Sequence, residues 1–150
     1  IMSFLGYTEG WAMYTEMGSY QLADLDSQCE GLASLCQLND QLNYGMCCRS
    51  DIGVNYEGWS KEDLGNYLED YGMNDTETVD SLYQSAIDNP GVYLSYYYGW
   101  LQMWNLKESA KTKLQNKFDV KEFNTLILDI GATSFSILKQ KVNDYINENK

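Results

Sequence analysis

Residues 90–115 read PGVYLSYYYGWLQMWNLKESAKTKLQ, from Pro90 to Gln115. This is the longest helical segment the sequence offers, and aromatic rings at helical spacing of this kind usually face a core. Pro90, the single proline of the chain, is suited to a first helical turn, where its missing N–H leaves no bond unmade. Strand-like alternation is nearly absent on either side, while the helical period recurs.

Working outward, residues 76–88 carry Val79, Leu82, Tyr83 and Ile87 at helical intervals. Before them Ser60 is an N-cap candidate with Asp63 three residues on, and the helix it opens is expected to end near Gly72. A segment over about 26–49 carries Leu32, Leu35, Leu38, Leu42 and Met46, a face broad enough to predict burial on more than one side. Residues 50–59 then read as a Gly-containing connection. The opening segment, about 3–20, keeps Phe4, Tyr7, Trp11, Tyr14 and Met17 in helical register. Downstream, Asp119 with Glu122 marks another helix start before Phe123, Leu126, Ile127 and Ile130, and Gly131 marks its stop. Phe135, Leu138, Val142 and Ile146 form the stripe of a last helix. The expectation is an all-α chain of about six to seven helices, with residues 1–150 forming one helical domain.

Composition narrows the function. At 150 residues the chain can bury a sizeable core, and 44% hydrophobic residues with 14% aromatics argue against disorder. Ten basic against 22 acidic residues give a formal charge of −12, which repels phosphate backbones and anionic lipid, so nucleic acid is not an expected partner. No apolar run approaches the roughly 20 residues needed to span a bilayer. The chain opens on Ile1 rather than Met, which fits a piece of a longer protein. A leader ahead of Ile1 would not be visible, so compartment stays open.

Cys29, Cys36, Cys47 and Cys48 do not form a convincing disulfide framework. Cys29 and Cys36 would stand about 10 Å apart along a helix axis, too far to bridge. Free, mostly buried thiols are expected. A structural zinc site is a poor expectation in a chain with no histidine.

The stretch Glu9, Gly10, Trp11, Ala12, Met13, Tyr14 sets one carboxylate in an apolar, aromatic helix. Burying that charge among Phe4, Leu5, Trp11 and Met13 would be costly without a cation. The other reading puts Glu9 on a solvated stripe with Glu16. Asp51 and Asn55, in the Gly-bearing connection, read either as cleft-lining groups that hydrogen-bond a substrate backbone or as turn-forming residues. Tyr93, Tyr96, Tyr97 and Tyr98 crowd one segment, and their hydroxyls cannot all be catalytic.

Four stretches in order resemble the C-terminal part of the bacterial domain-of-unknown-function 885 family, which is similar to zinc metallopeptidases of the gluzincin type. They are Glu9–Tyr14, Asp51–Ser60, Pro90–Tyr96, and Phe118–Asp119 with Glu122–Leu128 and Gly131. The resemblance covers nearly the whole chain. It implies a helical part of a larger metallopeptidase-like fold whose His-Glu helix lies upstream of Ile1. By resemblance Glu9 is a zinc ligand and Tyr96 an oxyanion stabiliser, while Tyr93 and Tyr97 read as packing or as the wall of a substrate groove, beside the cleft-lining reading of Asp51 and Asn55. Asn55 and Asn124 stand where many relatives have histidine.

The resemblance also implies a bacterial protein, exported or lipid-anchored or cytoplasmic, that works with its own N-terminal part and is inactive as a piece. Two further readings come from a different class. One is a helical module whose aromatics bind peptide or glycan without catalysis. The other is a scaffold whose exposed first helix self-associates.

Overall fold

The computed structural model describes residues 4–150, all in helices, turns and connections, with no strand among them. Seven α-helices are described: α1 (Leu5–Ser19), α2 (Leu32–Asn55), α3 (Lys61–Glu69), α4 (Thr76–Asp88), α5 (Val92–Leu114), α6 (Val120–Ile130) and α7 (Phe135–Asn149). Ile1 and Ser3, used above for the start of the chain and of its first helix, lie outside the described residues. The chain divides into two compact units, residues 1–18 with 98–150, and residues 19–97.

In the first unit α1 turns Tyr7, Met13, Tyr14 and Met17 inward. Leu5 stays 56% exposed and Trp11 half-buried, so only part of the apolar surface of α1 is covered. Gly10 is buried, because α5 crosses it: a Cβ there would overlap the backbone of Gly99, and one on Gly99 would overlap the Gly6 carbonyl. Both helices need glycine at that crossing. Asp119 caps α6 by accepting the Glu122 N–H at 2.9 Å, and Ser134 caps α7. Phe123 and Ile127 of α6, and Leu138, Val142 and Ile146 of α7, are fully buried, as their spacing predicts.

In the second unit α2, α3 and α4 pack together. Leu64, Leu68 and Val79 form its centre, with Trp59, Tyr67, Met73, Leu82 and Tyr83 packed around them. Ser60 and Asp63 form the expected reciprocal cap of α3, and Asp75 caps α4. Pro90 stands in a turn ahead of α5 rather than inside its first turn, because Gly91 at φ 79° intervenes.

Helix α2 departs most from expectation. It begins at Leu32, not near Asp26, and Asp26 instead accepts the Ala33 N–H at 2.9 Å from outside the helix. It then runs on to Asn55, through the segment read as a connection. Gly53 leaves room in this extension for the Trp59 ring, which folds back onto the space a Cβ would fill. The leucine face is not buried on several sides: Leu35, Leu38 and Leu42 are 65%, 61% and 49% exposed, and Met46 alone of the expected face is fully covered. Of the thiols, Cys48 is buried, Cys36 and Cys47 are half-buried and Cys29 is exposed, so "mostly buried" is corrected to one in four.

Candidate functional site

Glu9 lies on α1 in the first unit, half-buried beside buried Gly10. Among the described residues its carboxylate has no hydrogen-bond or ion-pair partner. The same helix is fastened by two phenols. Tyr7 donates to the Ile127 carbonyl at 2.7 Å, and Tyr14 donates to Asn124 Oδ1 at 3.0 Å. Burial, with Glu108 adding a like charge, pushes the Tyr14 phenol up to about 12, so it stays a neutral donor. The Lys107 ammonium lies 5.5 Å from the Tyr14 ring centre and 5.1 Å from that of Trp104. Asn124 is thus held as an acceptor.

The remaining expected residues belong to the second unit. Tyr96 is half-buried and stacks on Tyr44 of α2, ring centres 6.1 Å apart at 24°. Tyr93 meets the same Tyr44 ring edge-on at 6.5 Å. The Cys47 thiol, pushed up by burial, takes an opposing hydrogen bond from Tyr93. Tyr44, with no feature in the sequence to single it out, is what holds Tyr93 and Tyr96 side by side.

Asp51 and Asn55 are brought together as well, on the last two turns of α2 rather than in a loop. Asp51 is 3% exposed. One of its carboxylate oxygens accepts from Asn55 Nδ2 at 2.9 Å and the other from the Gly91 N–H at 2.7 Å. Asn55 Nδ2 also donates to the Ala86 carbonyl at 2.9 Å. The pair therefore joins the ends of α2 and α4 to the start of α5, and every one of these bonds is internal. A buried carboxylate with two donors meets the usual requirement for burying charge.

Two clefts lie apart from most of these residues. One, of about 620 Å³, sits at α6 and α7 and is lined by Asp119, Glu122, Thr125, Asp129 and Tyr145. Burial, Glu122 and Asp119 together raise the Tyr145 phenol. The other, of about 380 Å³, sits in the second unit between α2, α3 and the start of α5. Sequence reading missed both, since each is assembled from separate helices. The exposed leucines of α2 were legible only as a helical stripe, without the sign of their burial.

The class these features define is an all-helical protein with aromatic-rich helices and no spanning segment: among the described residues no helix is long and apolar enough to cross a membrane. The chain belongs to the family described as bacterial protein of unknown function (DUF885), whose sequence model matches residues 1–142. It is similar to a solved structure described as the "putative lipoprotein from Colwellia psychrerythraea", at 30% identity and a TM-score of 0.79, covering 96% of this chain and 24% of that one. The chain thus spans about a quarter of that protein's length. No curated protein matches it.

Proposed function

We propose that this chain is the helical part of a zinc-dependent peptidase of the gluzincin type, with Glu9 as one oxygen ligand and Tyr96 as a donor to the oxyanion. The observation that carries the reading is the half-buried Glu9 carboxylate, without a partner among the described residues, on helix α1 of a DUF885 member. A carboxylate oxygen in that position is a suitable hard donor to a divalent cation.

The donor set fits one ligand, not a complete centre. The chain has no histidine, and among the described residues no three His, Cys, Asp or Glu side chains are grouped to hold a metal. The nitrogen donors would come from another segment of a longer protein, the N-terminal partner in this reading. A zinc bound there would polarise a peptide carbonyl and activate water.

What this chain adds is positioning. Tyr96, fixed by Tyr44, offers a phenol to developing negative charge. Tyr93, edge-on to the same Tyr44 ring, would line the path of the peptide. Asp51 and Asn55 serve the substrate indirectly, by seating the start of α5, which carries both tyrosines. The relative's description as a lipoprotein supports an exported, lipid-anchored parent protein.

Zinc calorimetry tests the reading. The chain alone should bind zinc weakly, and Glu9→Gln should remove what binding there is. In a longer protein that includes the upstream segment, the same substitution should reduce zinc content and peptide hydrolysis together. Tight, stoichiometric zinc binding by the chain alone overturns the partial-site proposal.

A further inference from the structure

The acidic surplus is confined to one unit. Residues 19–97 carry fourteen Asp and Glu against two basic residues, a net −12, whereas the other unit carries eight against eight and is neutral. Both cations of the acidic unit are engaged internally. Arg49 pairs with Glu57 at 2.8 Å and lies 4.2 Å over the Trp59 ring, and Lys61 pairs with Asp80 at 2.8 Å. Little positive charge is left to offset the field of the carboxylates.

Within this unit lies an apolar groove. Leu38, Leu42 and Met46 of α2 form one wall, and Tyr67, Tyr71 and Tyr97 the other, around about 380 Å³. Gly45 leaves the floor open, with the Tyr97 hydroxyl 3.5 Å from where a Cβ would stand. Leu35, Leu38 and Leu42 prolong the apolar surface at helical spacing, and all three are exposed. Near the lining Glu69 and Asp70 precede Tyr71 in sequence, while Asp40, next to Gln41, accepts from the Tyr20 hydroxyl. Apolar surface rimmed by polar groups marks an interaction site.

We propose that the groove of the acidic unit binds a cationic peptide, one large apolar side chain filling the cleft while flanking lysines or arginines face the carboxylates. Charge complementarity selects this occupant. The acidic unit of a second copy brings another −12 and is repelled, as are nucleic acid and anionic lipid. The volume suits one or two large side chains, so affinity would rest on an anchor plus long-range attraction. The proposal does not depend on a metal, and binding is expected to persist in chelator.

The test is fluorescence anisotropy with the 150-residue chain, in chelator, against a short labelled lysine-rich peptide with one central leucine. Binding should weaken at least about tenfold when that leucine is serine, and again when the lysines are glutamates. It should also weaken as added salt shortens the screening length from about 10 Å to about 3 Å. The double variant L38S/L42S should lose binding by a similar factor while its circular dichroism is unchanged, because both leucines are largely exposed.

Equal binding of the serine peptide, or by L38S/L42S, overturns the groove assignment, and no binding overturns the proposal entirely. A concentration-dependent dimer in sedimentation that L38S/L42S abolishes would also overturn it, in favour of self-association. Because zinc is absent throughout, failure here leaves the Glu9 reading untouched, and failure of zinc calorimetry leaves the groove untouched.

Discussion

The Asp51 carboxylate accepts the Gly91 backbone N–H at 2.7 Å, across 40 residues of sequence, and so ties the end of α2 to the start of α5. Asn55 completes the junction by donating both to Asp51 and to the Ala86 carbonyl at the end of α4. Three helices therefore meet at one buried charge, one residue before the helix that carries Tyr93 and Tyr96.

Replacing Asp51 with Asn puts an amide nitrogen against one of two donors. D51N is expected to cost about 1–3 kcal/mol in urea unfolding, the range for an unsatisfied buried group. N55A should cost less, about 1 kcal/mol. The double variant should be less destabilised than the sum of the two, because removing Asn55 relieves the donor–donor contact. Strict additivity would show that the two side chains do not act as one unit.

The α1–α5 crossing depends on paired glycines. G10A and G99A each drive a methyl into the opposite backbone and should cost about 1–3 kcal/mol. G18A, on the same α1, meets nothing within 4 Å and should be neutral or stabilising by up to about 1 kcal/mol. Thermal melting of the three variants separates close approach from helix propensity. Equal behaviour of G10A and G18A would refute the crossing.

Alkali should weaken the fold through its buried acids. The Cys48 thiol is pushed up to about 12 by burial and then by Cys47 and Asp51, and the Tyr14 phenol likewise to about 12. Groups raised in the folded state contribute stability below their unfolded values, lost as pH climbs toward the folded ones. Stability should fall from about pH 9 upward, where unfolded thiols ionise and the buried one does not. Thiol labelling at neutral pH should modify exposed Cys29 first and buried Cys48 last. Early labelling of Cys48 would contradict its burial.

Acid should act through the caps. Asp63 is held low by its bonds to Ser60, and Asp75 by its bonds to Thr78. Carboxyls lowered in the folded state contribute stability above the ordinary Asp value of about 3.9, lost as pH falls through their folded values. The variant D63N/D75N should show a flatter loss of stability below about pH 4 in an acid titration followed by circular dichroism. An unchanged acid limb would show that other carboxylates govern it.

Much of the helical content was legible in residue order alone, and for a local reason. A cap joins a side chain to a backbone N–H three residues away, so Ser60 with Asp63, and Asp119 with Glu122, announce their helices without help from the rest of the chain. The stripe Leu138, Val142 and Ile146 announces its buried face in the same way. The stretches that place the chain in its family are likewise linear.

What the linear signal could not carry is which apolar stripe finds a partner. Leu38 and Leu42 repeat at helical spacing as well as Leu138 and Val142 do, yet one pair stays exposed and the other is buried, because burial is conferred by distant segments. Asp51 looked like a turn former because its true partner, the Gly91 N–H, is brought to it only when α5 docks. The segregation of all the net charge into residues 19–97 also waits on the fold, since its neutral counterpart is assembled from the two ends of the chain. Residue order determined the helices and the family; only tertiary structure decided which carboxylates are held and which groove lies open among them.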